Sequence, residues 1–238
     1  MKRLTLTLFS SAVLIALIFG NFQMAWAADD VENTKHNIND LLDPVIPQYG
    51  SAQICVFCHT PHSANDGVKA PLWNRNVTTS GYTAYDSPTI DMDVKGTPTG
   101  VSLACLSCHD GQIGLDVILN MPGTTGDTVT SRTTTIGTNT MVAGADADYD
   151  PLLTQDLSDD HPVSVTYDNT SSGDLAFNSI ASAELLGLRF FDDVSVGVNN
   201  VVQCATCHNP HMSPTSGNEK FLRIANAGSA LCKTCHIK

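Results

Sequence analysis

Apolar positions in this chain come mostly in short, scattered bursts. The one long run covers residues 4–19, read as Leu, Ile, Val, Ala and Phe with a few hydroxyl residues between. Lys2 and Arg3 precede it, and Ala25-Trp26-Ala27 follows with the small-x-small form of a cleavage site. The run is short for a membrane span, so residues 1–27 are expected to be an export signal, leaving 28–238 as the mature chain. No cysteine follows the run to take a lipid anchor, and no later stretch has the pattern of a membrane-crossing helix. Beyond it, residues 162–168 (PVSVTYD) and 191–203 (FDDVSVGVNNVVQ) alternate and are β-branched, which predicts strands. Residues 180–186 predict a helix capped by Asn178 or Ser179. Residues 77–101 and 120–148, rich in Thr, Gly and Pro, predict surface loops with short hairpin strands.

A chain patterned this way buries a meagre core. Aromatic residues make up 6% of it, and Thr, Ser, Asn, Asp and Gly are plentiful, so something other than side chains is expected to supply apolar bulk. The charge sharpens the picture. Lys2 and Arg3 leave with the signal, so ten basic residues face 24 acidic ones, a mature balance of −14. That argues against nucleic acid, whose phosphates demand a basic face, and against an anionic membrane surface. The acidic stretch 146–151 (DADYDP) lacks the glycine and glutamate of a calcium loop and reads as a solvated turn. No glycine-rich phosphate loop and no activated nucleophile stands out.

The chemistry lies in the cysteines. All eight fall in CxxC pairs: Cys55/Cys58, Cys105/Cys108, Cys204/Cys207 and Cys232/Cys235. A histidine follows each pair at once: His59, His109, His208 and His236. Exported proteins usually join cysteines as disulfides, but that leaves the histidines unexplained. Two Cys₄ zinc sites leave them unexplained too, and a redox CxxC needs a thioredoxin-like βαβ setting that is missing. CxxCH is the attachment signature of c-type haem. On a helical turn, residues i, i+3 and i+4 share a face. Two thiols can therefore take the vinyl edge of one porphyrin while the adjacent histidine reaches its iron. Ser51, Ser102 and Ser229 are placed to cap the helices that begin three of the motifs. The third motif, VVQCATCH, follows a β-like run without such a serine.

Four histidines remain: His36, His62, His161 and His211. Their number matches the sixth positions of four irons, with Met92, Met121, Met141 and Met212 as competing ligands. CVFCHTPH (55–62) and CATCHNPH (204–211) each place a second histidine past a proline that ends the motif helix. That histidine reaches a neighbouring iron more easily than the far face of its own. On this reading His62 serves the haem of Cys105/Cys108, and His211 serves that of Cys232/Cys235. The chain is then an internal repeat, with a haem pair over 36–119, a loop and strand insert over 120–200, and a second pair over 201–238. Leu72 and Leu222 mark matching segments of the two. The fold class expected is a multihaem cytochrome: mostly irregular, with short helices at the motifs, a few strands, and the haem chain as core.

With KHNI at His36, PLWNR, CLSCHDG, DDHPVSV at His161, and FLR, the ordered motifs make the chain resemble multihaem c-type cytochromes with doubled CxxCH motifs. It is most similar to outer-surface tetrahaem members that polymerise into electron-conducting extracellular filaments. The resemblance implies four covalent haem c groups with bis-histidine iron and few regular elements. It also implies a homopolymer joined through its haem-chain ends, with a ligand histidine crossing the subunit boundary. Redox partner cytochromes and extracellular metal oxides follow as partners, and the outer surface as location. His36, near the mature N-terminus, is the candidate for crossing; alternatively it serves the first haem of its own chain. His161 then serves the third. Saturated irons carry electrons and leave no place for substrate, so the chain is expected to be no enzyme. The alternatives are a soluble periplasmic shuttle and a nitrite-type multihaem reductase, which needs an open iron.

Overall fold

A computed structural model describes residues 30–38, 54–90, 92–120, 140–144, 150–167, 176–193, 197–213 and 219–237. The expected signal, Ser51 and most of the 120–148 and 146–151 loops lie outside these residues. Among the described residues, regular structure is sparse. Helices α1 (Ser102–His109), α2 (Ile180–Leu185), α3 (Cys204–Cys207) and α4 (Ala230–Cys235) are all short. Strands β1 (Val165–Thr166), β2 (Phe191–Asp193) and β3 (Val198–Val202) form one antiparallel sheet in the order β1-β3-β2. Short 3₁₀ turns at Val31–Asn33, Ile54–Phe57, Glu219–Phe221 and Ala227–Ser229 complete the set. None of the helices is long and apolar enough to cross a membrane.

Several expectations are met in kind and corrected in detail. The 191–203 stretch is not one strand but a hairpin. Gly197 turns the chain at φ 70°, and β2 pairs back on β3 with a register shift between Phe191 and Asp193. The 180–186 helix is present as α2, and Ser179 rather than Asn178 caps it, accepting from the Ser182 amide at 3.2 Å. Asn178 caps another helix end: its side-chain amide donates to the Lys233 and Thr234 carbonyls at the end of α4. The serine caps do not form as expected. Ser102 is the first residue inside α1, and its hydroxyl turns to Gln203 and to the Cys204 amide. Ser229 stands at the N-cap of α4 in the left-handed region and makes no side-chain cap bond. α3, for which no serine cap was expected, is closed by Gln203 and Thr206, each bonding the other's backbone.

Buried apolar side chains gather in four small clusters rather than one core. Ile38, Phe57 and Ile118 form the first; Val68, Ala70, Trp73 and Ala104 the second. Tyr167, Ala183, Leu188 and Phe190 form the third, with Leu231 and Cys235 against it, and Tyr82, Leu106 and Leu157 the fourth. The segment read as an insert is therefore shared out. Residues 151–157 pack on the second motif, and 176–193 on the fourth.

Polar side chains tie the irregular chain together. Arg75, 1% exposed, donates to the carbonyls of Leu115, Ser107 and Gly114 at 2.9, 3.3 and 2.7 Å. Asn74, fully buried, donates to the Val56 and Asn120 carbonyls and accepts from the Asn120 amide. These bonds replace the ladders that the loops lack. Arg75→Met leaves buried carbonyls unsatisfied, at about 1–3 kcal/mol each. The loss expected in chemical unfolding of the haem-loaded protein is about 3 kcal/mol or more.

Candidate functional site

The first and third motifs are built the same way, 149 positions apart. Thr60 and Asn209 amides donate to Leu72 and Phe221 carbonyls, and Asn74 and Arg223 amides to Cys58 and Cys207 carbonyls, all at 2.8 Å. His59 bridges to Trp73 as His208 does to Leu222. Leu72 and Phe221 both adopt positive φ, 54° and 60°. The repeat thus pairs Leu72 with Phe221, one position off the leucine match expected from sequence. Backbone register sets the correspondence here, and residue identity does not follow it.

The same loops orient the histidines. His59 Nδ1 donates to the Pro71 carbonyl at 2.7 Å, and His208 Nδ1 to the Lys220 carbonyl at 2.8 Å. His109 Nδ1 donates to the Pro151 carbonyl at 2.7 Å, and His161 Nδ1 to the Pro162 carbonyl at 3.0 Å. A carbonyl only accepts, so the proton sits on Nδ1 and the Nε2 lone pair is left for a metal.

Opposing rings stand at a spacing that fits iron. The centroids of His59 and His211 are 6.2 Å apart, those of His36 and His109 6.3 Å, and those of His161 and His236 6.5 Å. Two metal–imidazole bonds of about 2 Å, plus about 1 Å from each bound nitrogen to its ring centre, put axial imidazoles about 6 Å apart. Each pair joins a CxxCH histidine to one of the four others. The partners are not those expected. His211 faces His59 rather than the fourth motif's His236, His161 faces His236 rather than His208, and His36 faces His109. Two of the eight histidines, His208 and His62, face no partner ring of this kind among the described residues, and both are exposed.

His36 is held from several sides. Its ring lies 4.4 Å from Phe221, and its segment is fastened by the Asp30 amide donating to the His211 carbonyl at 2.8 Å. Burial, with His109 beside it, lowers its pKa to about 4, against the raising effect of the Pro210 carbonyl. Its imidazole is neutral at neutral pH. Within the chain His36 stands across from His109 of the second motif, not from His59 of the first haem it was expected to serve in its own chain.

All eight cysteines are free thiols in the structure: Cys55 and Cys232 are exposed, and Cys58, Cys105, Cys108, Cys204, Cys207 and Cys235 are half-buried. Among the described residues no three His, Cys, Asp or Glu side chains converge as they would on a bare metal ion. Burial pushes the Cys58 thiol up to about 12 and Cys207 to about 11. The Cys105 thiol lies against that of Cys204. Their hydrogen bond raises Cys105, as burial does, and lowers Cys204 against the raising effect of burial.

In the second motif, Cys105 and Cys108 each have a cysteine of another motif nearby. Cys108 sits in the last turn of α1, and its carbonyl accepts from the Gly111 amide at 3.2 Å. After burial, its nearness is the next cause of the rise at Cys58, a thiol of the first motif. Three residues apart, Cys105 and Cys108 share one face of α1 and still meet different neighbours, Cys105 the third motif and Cys108 the first. Spacing alone shows the shared helix face and not what packs against it.

Once each S–H has added across a vinyl group these titrations vanish. Thiols in CxxC pairs, each beside an Nδ1-anchored or ring-paired histidine, are the donor set of covalent haem. Sequence reasoning missed Gln203, read Ser102 as a helix cap, and met Phe221 only within its FLR motif.

A family model described as the doubled CXXCH motif matches residues 197–238, the second pair of motifs. The match supports a multihaem c-type cytochrome, with covalent haem c, its iron, and electron transfer as the work of the class. A comparison with curated proteins found no match. The sparse helices and small sheet agree with a small cytochrome of this kind.

The ring pairs give a direct test. His211→Ala is expected to alter the optical and magnetic spectrum of the haem at Cys55/Cys58 and leave the one at Cys232/Cys235 unchanged. The reverse assignment would show the opposite change.

Proposed function

We propose that the mature chain, 28–238, is an exported tetrahaem electron carrier and the subunit of an extracellular cytochrome filament. It would pass respiratory electrons between redox partner cytochromes and external acceptors such as iron(III) oxides. The observation that carries this reading is the set of three opposed imidazole pairs at iron-bridging distance. Bound haem supplies one-electron chemistry at low potential when both axial ligands are imidazoles, since methionine raises the potential. With both axial sides filled, these histidines exclude substrate and leave electron exchange.

The His208 site supports the filament over the soluble shuttle. Its only unassigned imidazole is His62, which in the repeat stands where His211 stands in the second module. His62 does not come opposite His208 within one chain, so His62 of a neighbouring subunit closes that site. A homopolymer then follows from the same rule that builds the interior: one motif's second histidine serves another module's iron. Electron microscopy of native material, with carbon monoxide binding, tests this. Filaments whose irons all refuse the ligand support it. A monomer with one iron that binds carbon monoxide readily favours the reductase reading, because His208 then faces an open position.

A further inference from the structure

We propose that Ser102 and Gln203 are positioning residues that set electron exchange between the second and third haem sites, the step that joins the two modules. Ser102 opens α1, one turn before Cys105, and Gln203 directly precedes Cys204. The Ser102 hydroxyl donates to Gln203 Oε1 and accepts from the Cys204 amide at 3.0 Å. The Ser164 hydroxyl donates to the same Oε1 at 3.3 Å while accepting from the Thr99 amide at 2.8 Å. Ser102 is 0% exposed, and Gln203 and Ser164 are each 1% exposed. Gly100 closes the pocket at φ +57°: a Cβ there would come 2.8 Å from Gln203 Nε2 and 3.2 Å from Asp193 Oδ2.

This buried knot fastens the start of one attachment helix to the start of the other. Cys105, one turn into α1, and Cys204, the first residue of α3, are thereby carried on helix starts that are tied together. The placement rests on the electron-transfer reading. Exchange across it moves one electron from a ferrous to a ferric centre, with no bond made or broken. The knot's contribution is to fix the start of α1 against the start of α3.

The test uses the mature, haem-loaded protein and the variants Ser102→Ala, Gln203→Leu and Ser102→Thr. Haem mass and the low-spin spectrum of the unaltered protein come first. Absent haem or an open iron there overturns the electron-transfer reading itself, before any variant is compared. Exchange NMR of partly reduced protein then reads the rate between the second and third sites. It is expected to fall severalfold in Ser102→Ala and Gln203→Leu, to stay near the original in Ser102→Thr, and to be unchanged between other sites. Unchanged rates in the first two variants overturn the proposal. So does loss of haem from either of them, which would make the knot a support for attachment rather than for exchange.

Discussion

Made without haem attachment, the full mature chain is expected to be largely unfolded, with disordered circular dichroism and no cooperative thermal transition. Fixing a residue's backbone costs about 1–2 kcal/mol, while a fully buried Leu or Phe returns about 1.5–3 kcal/mol. Each apolar cluster here holds only three or four buried side chains. The regular elements are too short to propagate cooperatively by themselves. Four porphyrins would bring the missing apolar surface and, through paired imidazoles, cross-link segments far apart in sequence. Binding energy is then folding energy, as in small metal-dependent domains. Native-like circular dichroism from haem-free chain would contradict this account.

His62→Ala is expected to abolish filament assembly and leave one iron in four five-coordinate and high-spin, with the other three sites spectrally intact. Its ring is exposed and meets no other imidazole among the described residues, so its removal should leave the three ring pairs in place. By contrast, His36→Ala should damage the second haem within every subunit, because His36 lies across from His109. The proposed assembly would also have to overcome a charge of −14 for residues 28–238, from ten basic and 24 acidic residues. Added salt should therefore favour polymers until the charges are screened. Polymers formed by His62→Ala with all irons six-coordinate would rule out the crossing ligand.

How far the sequence carried the structure depended on range. CxxCH packs its whole meaning into five residues, and the α2 cap needs only Ser179 and Ser182, so both were legible. The ring partners were not. His59 meets His211 and His36 meets His109 through the folding of one module against the other, which local pattern does not encode. The hairpin over 191–203 was hidden because β-branched residues continue on both sides of Gly197. Ser102 was misread for a related reason: a serine before a helix can cap it, but here Gln203, remote in sequence, competes for the hydroxyl and wins.

The anchors of the histidines carry a further consequence. Where many metal-bound imidazoles lean on a carboxylate, His59, His109, His161 and His208 lean on main-chain oxygens. A peptide oxygen neither gains nor sheds a hydrogen ion at any physiological acidity. A redox group held by these imidazoles would therefore meet no proton-exchanging partner at their far nitrogens as the surrounding acidity changes.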